Sequence, residues 1–207
     1  MRNIKQTWNK IYQSGSMDYL FEEDILNIIK IFKKNNLKRI LDLGCGSGKY
    51  IELLSREGFE IYGIDISEEA IKIAKAMLRK ENLNAELVIG LIHEKLPYND
   101  NFFDGIISIK SFYHGTLSEI RYGISELERI LKPDGLIYLT LRKKASKVRS
   151  VPHKYIAPHT YVPLEGNEKD LIHYFFNKKG IKKEFYRFKL IKLSRSKDYY
   201  YFLGKKV

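Results

Sequence analysis

Leu41-Asp42-Leu43-Gly44-Cys45-Gly46-Ser47-Gly48 places three glycines directly after a short apolar run, Ile40 to Leu43. A buried strand needs such a cluster to turn sharply into a helix while its backbone approaches a ligand. Tyr50 to Glu57 follows as the helix, and Gly58 stops it. The pattern is not a dinucleotide fingerprint: after Gly44 and Gly46 the third glycine position holds Lys49, and Gly48 comes one residue early. Nor is it a Walker loop, because Gly48-Lys49 is followed by Tyr50 and the spacing is short. A pyrophosphate would also be repelled by Asp42.

Outward from this loop the periods alternate. Ile61 to Ile66 predicts a second strand, and Ser67 caps a helix that carries Ala70, Ile71, Ala74, Met77 and Leu78 on one face. Residues 86–89, 105–109 and 136–141 predict further strands, with a helix through Ile120, Ile124, Leu127 and Leu131 ended by Pro133-Asp134-Gly135. Residues 19–34 predict an amphipathic helix leading into the sheet. Residues 142–163 read as a basic, proline-containing loop. Residues 171–176, 186–193 and 198–206 are strand-like, with a short helix begun by Asn177. Strands and helices alternating at this spacing predict a doubly wound α/β sheet of Rossmann-like type, with ligands outside the carboxyl ends of the strands. Asp65, 21 residues after Gly44 at the end of the second strand, is placed to accept hydrogen bonds from both ribose hydroxyls of a nucleoside.

At 207 residues and 44% hydrophobic content the chain can bury a substantial core as one domain. No stretch has the roughly 18 uncharged apolar residues of a membrane span. The opening MRNIKQTWNK lacks the apolar core of a secretory signal, so a cytoplasmic protein is expected. One cysteine, Cys45, excludes an intrachain disulfide and any multi-cysteine metal cluster, and suits a small packing position in the glycine loop. The five histidines, at 93, 114, 153, 159 and 173, show no zinc-ligand spacing, so no metal is expected. The net charge of +12 is uneven: residues 142–207 hold 18 Lys/Arg against 5 Asp/Glu, whereas residues 1–141 hold 19 against 20. Abundant Lys and Glu hint at a thermophilic source.

Asp42 to Gly48, Gly63-Ile64-Asp65-Ile66-Ser67, Leu96-Pro97, Phe103-Asp104 and Leu131-Lys132-Pro133-Asp134-Gly135 together resemble the class I S-adenosylmethionine-dependent methyltransferases, over residues 37–141. The resemblance implies a mostly parallel seven-stranded sheet with an antiparallel last strand. It implies S-adenosylmethionine as cofactor, with Asp42 and the backbone of Gly44 and Gly46 holding the methionine part, Asp65 the ribose and Ile66 one face of adenine. Cys45 belongs to the same loop. Where the family often has an acidic residue after the third strand, this chain has Gly90-Leu91-Ile92, so backbone atoms of Leu91 and Ile92 take the adenine amino group. Trp8 and Tyr12, at helical spacing, belong to an N-terminal segment that folds over the cofactor as a lid. The chain then divides into a helical lid (1–36), a cofactor-binding core (37–141) and a basic acceptor-side region with closing strands (142–207).

S-adenosylmethionine is already activated, so the protein mainly has to align an acceptor with the sulfonium methyl and exclude water. Ser108 to Thr116, at the end of the fourth strand, brings Ser108, Tyr113 and His114 to the ligand crevice. His114 is the best general-base candidate, with Tyr113 beside it. His159-Thr160-Tyr161 and Leu171 to Phe175 look like acceptor-side segments of small-molecule members of the family, which makes His173 and Tyr174 pocket candidates. The leading expectation is methyl transfer to an O or N atom of a small molecule. RNA or protein bound through the basic region, including Arg142-Lys143-Lys144 and Lys147-Val148-Arg149, is the second. A non-catalytic cofactor-binding module is the third.

Overall fold

In the computed structural model, which describes residues 4–15, 24–144 and 151–207, Arg39–Leu43 forms β1, an interior strand of the main sheet. It pairs in parallel with β2 (Glu60–Asp65) on one side and β4 (Phe103–Ser108) on the other. The chain runs outward from β1 through β2 to β3 (Glu86–Ile89), then returns to build β4 and β5 (Leu131–Arg142) on the opposite side. The order of the sheet therefore reverses between β1 and β4, which opens a crevice at their carboxyl ends. The glycine loop leaves β1 at that crevice, and Ile109 to His114 leaves β4 beside it.

Alternate residues of the strands face opposite layers. Ile40, Ile61 and Ile107 pack with α2 (Ile25–Lys34), α3 (Lys49–Arg56) and α4 (Glu68–Lys80). Leu41, Leu43 and Ile106 pack with α5 (Leu117–Ile130) and α6 (Lys178–Glu184). Local chemistry sets the helix starts. Ser67 Oγ accepts the Ala70 N–H, Thr116 and Glu119 form a reciprocal capping box, and Asn177 Oδ1 accepts the Gly180 N–H at 2.7 Å. An N-terminal helix, α1 (Ile4–Gln13), packs beside α4. Of the expected helix 19–34, residues 19–23 lie outside the described residues, as do Lys147 and Arg149 of the basic region.

The sheet is seven-stranded, in the order β3-β2-β1-β4-β5-β10-β9. Strand β10 (Tyr199–Lys206) runs antiparallel to both β5 and β9 (Phe188–Arg195), as expected for the last strand. Two expectations are corrected. Pro133-Asp134-Gly135 does not separate α5 from its strand. β5 already begins at Leu131, opposite Phe103, and the next paired residues are Gly105 and Leu136, so the turn residues are absorbed as a bulge with Asp134 at φ 64°. Residues 142–163 are not all loop: β6 (His153–Ala157) and β7 (Thr160–Pro163) pair antiparallel, and β8 (His173–Tyr174) joins them in a second, three-stranded sheet. The alternation there is too short for its period to stand out from the surrounding prolines and lysines. Among the described residues no helix is long and apolar enough to cross a membrane.

Candidate active site

The glycine loop is held rigidly from below. The N–H groups of Gly44 and Cys45 both donate to the Ile64 carbonyl, at 2.8 and 3.0 Å, and the Gly46 N–H donates to Asp65 Oδ2 at 2.9 Å. Asp65 Oδ1 accepts the Ser67 N–H at 2.8 Å, so this one carboxylate joins the loop to the start of α4. The amides of Gly44 and Gly46, expected to meet the methionine part, are thus already committed within the protein. The Gly44 carbonyl accepts the Ser111 hydroxyl and the Cys45 carbonyl accepts the Gly48 N–H, each at 3.1 Å, so what the loop keeps for a ligand is the second lone pair of these carbonyls and glycine Cα surface. Asp65 retains further lone pairs on both oxygens for hydroxyl donors. Burial lifts its pKa to about 6, against the pull of the Ser67, Gly46 and Ile66 amides.

Asp42 lies beneath the loop, 1% exposed, with Oδ2 buried and without a hydrogen-bond partner among the described residues. Burial, with Asp65 adding to it, pushes its pKa up to about 8. An unsatisfied buried carboxylate under an acceptor loop favours a cationic group above it.

Above the loop lies α1. Its Asn9 Oδ1 accepts the Ser67 hydroxyl at 2.7 Å, and Lys5 pairs with Glu68 at the start of α4. Trp8 and Tyr12 close one side of a cavity of about 400 Å³, whose floor is Gly44, Cys45 and Gly46. Asp65 and Ile66 continue the wall, and Leu91 and Ile92 line the slot beyond them. On the far side stand Tyr113 and His114, with the Trp8 ring edge-on to His114 at 5.0 Å.

The His114 ring nitrogens are buried and have no hydrogen-bond partner among the described residues. Burial, then Arg142 and His93, lowers its pKa to about 3 against the pull of the Lys110 backbone, so the imidazole is neutral. Three candidates lie behind this wall. Ser108 Oγ donates to the Leu43 carbonyl at 2.7 Å and clips the ends of β1 and β4 together, and Asp42 sits under the loop. His173 is fully buried, its ring 4.6 Å from that of His114. Its Nδ1 lies 3.1 Å from the Tyr161 hydroxyl, and its Nε2 lies 3.6 Å from Glu168. A side chain so enclosed can act on a ligand only through His114 or Glu168. Tyr174, also buried, packs instead against Phe176.

Other wall residues give no signal in the sequence. His93 bonds the Phe112 carbonyl at 3.1 Å, and burial brings its pKa down to about 4. Its ring fits against Gly115 and Gly123, where an added Cβ would lie 3.0 and 2.7 Å away. Glu168 and Tyr199 reach the cavity from the C-terminal region. No motif marks these residues, because the topology alone unites them.

The family pattern "Methyltransferase domain" matches residues 40–135. A ubiquinone biosynthesis O-methyltransferase of Pelagibacter ubique is 31% identical over 127 residues, 58% of this chain and 51% of that protein. A putative methyltransferase of a Geobacillus species is 32% identical over 111 residues, 53% of this chain and 44% of its own length. The chain spans about half the length of these curated relatives. Among solved structures, a Burkholderia thailandensis 1,6-didemethyltoxoflavin-N1-methyltransferase, crystallised with that substrate and S-adenosylhomocysteine, superposes with a TM-score of 0.76 at 14% identity. The match covers 99% of this chain and 87% of that one, a likeness of fold. The motifs, the switch-point crevice and the matched domain agree: residues 40–135 of this chain form a methyltransferase domain, set in the fold of the S-adenosylmethionine-dependent methyltransferases.

Proposed function

We propose that this chain moves a methyl group from S-adenosylmethionine to an O or N atom of a small molecule held in the cavity between the glycine loop, α1 and the Tyr113–His114 wall. The observation that carries this reading is the cover that α1 places over one side of the cavity. Its volume falls in the roughly 300–1,000 Å³ range of small-molecule sites, and a helix lies where a polymer would need open access. The names of the Pelagibacter relative, for O-methyl transfer, and of the Burkholderia neighbour, for N-methyl transfer, agree with it.

The residues fit the cofactor. The orphaned Asp42 carboxylate and the loop carbonyls suit its ammonium, Asp65 its ribose hydroxyls, and Ile66, Leu91 and Ile92 its flat base. When bound, S-adenosylmethionine supplies a methyl already activated by the sulfonium. Trp8 and Tyr12 shut out water. Tyr113 orients the acceptor, and neutral His114 takes the proton that the attacking oxygen or nitrogen gives up. His173, in turn, fixes the His114 ring by packing against it.

Calorimetric titration with S-adenosylmethionine, S-adenosylhomocysteine and NAD, beside an Asp65→Ala variant, tests the cofactor site. The first two should bind, and the variant should lose them. Binding of NAD alone would overturn the reading. Mass-spectrometric detection of methylated products from a small-molecule panel tests the acceptor class. Salt-sensitive RNA binding, with methylated RNA as product, would replace it.

A further inference from the structure

Arg142 ends β5 opposite Tyr199 of β10. Its Nη1 lies 3.5 Å from the Tyr113 hydroxyl and 3.5 Å from the Tyr199 hydroxyl, and those two oxygens are 3.5 Å apart. Both tyrosines line the cavity. The guanidinium also lies beside their rings, 5.5 and 5.9 Å from the centroids, and its Nε is buried without a hydrogen-bond partner. No carboxylate of the described residues comes within 4.0 Å of it. Glu168, which also lines the cavity, is farther off, and its own pKa is raised by burial in spite of Arg142.

The cluster therefore consists of donors. The guanidinium and the phenols of Tyr113 and Tyr199 meet at distances too long for good mutual hydrogen bonds, and a third phenol, Tyr161, also interacts with Arg142. A largely buried cation on which Glu168 acts only from beyond ion-pair distance is costly, and a ligand that supplies a closer negative charge relieves that cost. The planar fork of Arg matches a carboxylate better than any other common anion apart from phosphate, and two flanking hydroxyls complete the cradle. In the sheet, β5 is separated from β1 by β4, two strand spacings or about 10 Å, so the cluster stands apart from the glycine loop.

We propose that Arg142, Tyr113 and Tyr199 form a carboxylate-binding subsite, and that the methyl acceptor of this protein is a carboxylic acid. The inference rests on the methyltransferase reading of the cavity and narrows its substrate class. The acid group docks at the two phenols that line the cavity, with the Arg142 charge behind them, and leaves the nucleophilic atom of the acceptor toward His114. Arg142 is a specificity-determining residue on this reading, not simply part of a basic surface.

Calorimetry of the protein saturated with S-adenosylhomocysteine, against benzoate, cinnamate and butyrate, each paired with its neutral amide, tests the subsite. At least one acid should bind about ten-fold more tightly than its amide. Arg142→Met should abolish that preference while leaving S-adenosylhomocysteine affinity within about two-fold, and Arg142→Lys should keep part of it as a point charge. Should Arg142→Met fail to fold by circular dichroism, Tyr199→Phe must still reduce the preference. Equal binding of acids and amides, no binding of either, or a preference that survives these substitutions overturns the proposal. The acid and amide titrations are repeated without S-adenosylhomocysteine. Failure of the cofactor to bind would then sink the methyltransferase reading, while the contrast between acid and amide still scores the subsite.

Discussion

The hydroxyl of Tyr12 rests against the α-carbon of Gly46, so closely that a β-carbon added to Gly46 would lie 2.3 Å from it. Gly46 has φ 54°, so a side chain there is strained as well as crowded. Gly46→Ala should displace Tyr12, open α1 and weaken S-adenosylhomocysteine binding about ten-fold or more, with a stability loss of about 1–2 kcal/mol. Adding Tyr12→Ala should recover part of the stability but not the binding. Urea unfolding and calorimetry on the same variants separate the two effects.

Stability without ligand should be greatest near pH 6–6.5, because two sets of buried groups act in opposite directions. His93 and His114, at about 4 and 3, and His173, also pushed down by burial, charge more readily in the unfolded chain, so stability falls as pH drops below the ordinary histidine range. Asp42, at about 8, and Asp65, at about 6, hold their protons longer in the folded state. Their contribution is complete below pH 4 and is lost as pH rises through 6 and 8. Between pH 6.5 and 8 Asp42 alone should cost about 1 kcal/mol per pH unit, and Asp42→Asn should flatten that limb. Denaturant melts at half-unit pH steps check both limbs.

S-adenosylhomocysteine binding at pH 7 should release close to one proton. Its ammonium above the loop lowers the Asp42 pKa, so a carboxyl group that is mostly protonated beforehand ionises on binding. Calorimetry in buffers of different ionisation enthalpy measures the release. Asp42→Asn should bind with none, and an unchanged release in that variant would place the ammonium elsewhere.

Trp8 is the chain's single tryptophan and it borders the cavity, so its emission reports on the site directly. S-adenosylhomocysteine should shift or quench it in a saturable way, with the midpoint found by calorimetry. His114→Ala should change the emission of the free protein, since the imidazole and indole centroids lie 5.0 Å apart.

Arg129 joins α5 to the link before β4: it bonds the carbonyls of Leu96 and Tyr98, Asp100, and the nearly buried Glu126, which also accepts the Leu96 N–H. Arg129→Ala leaves Glu126 without its cation and should cost about 2–4 kcal/mol. Pairing it with Glu126→Gln should recover part of that loss in urea unfolding.

Fold and cofactor loop were legible because they depend on local signals. Gly44, Gly46 and Asp65 are fixed by a strand-to-helix turn, and the strand-helix period continues to β5. The far wall was less legible. Tyr113 and His114 follow directly from the end of β4, yet His93, Glu168, Tyr199 and Arg142 come from four separate segments that only the sheet order brings together. Arg142 in particular read as one more charge in a lysine-rich region. Its burial between two tyrosines is a tertiary fact that composition does not carry. His173 was named a pocket candidate from its aromatic-rich segment, and its β-pairing with Tyr161, which encloses it, is again a tertiary fact.

Among the described residues of the main sheet β9 pairs only with β10, and β10 alone covers the outer edge of β5. The two strands thus join as one hairpin. Until residues 188–206 dock, β5 presents a long apolar edge, and its buried Leu139 and Leu141 stand ready to pair with any extended chain nearby. Yield of this protein on expression should therefore depend less on its cofactor loop than on how fast one late hairpin closes, and substitutions there should appear first as aggregation rather than as lost activity.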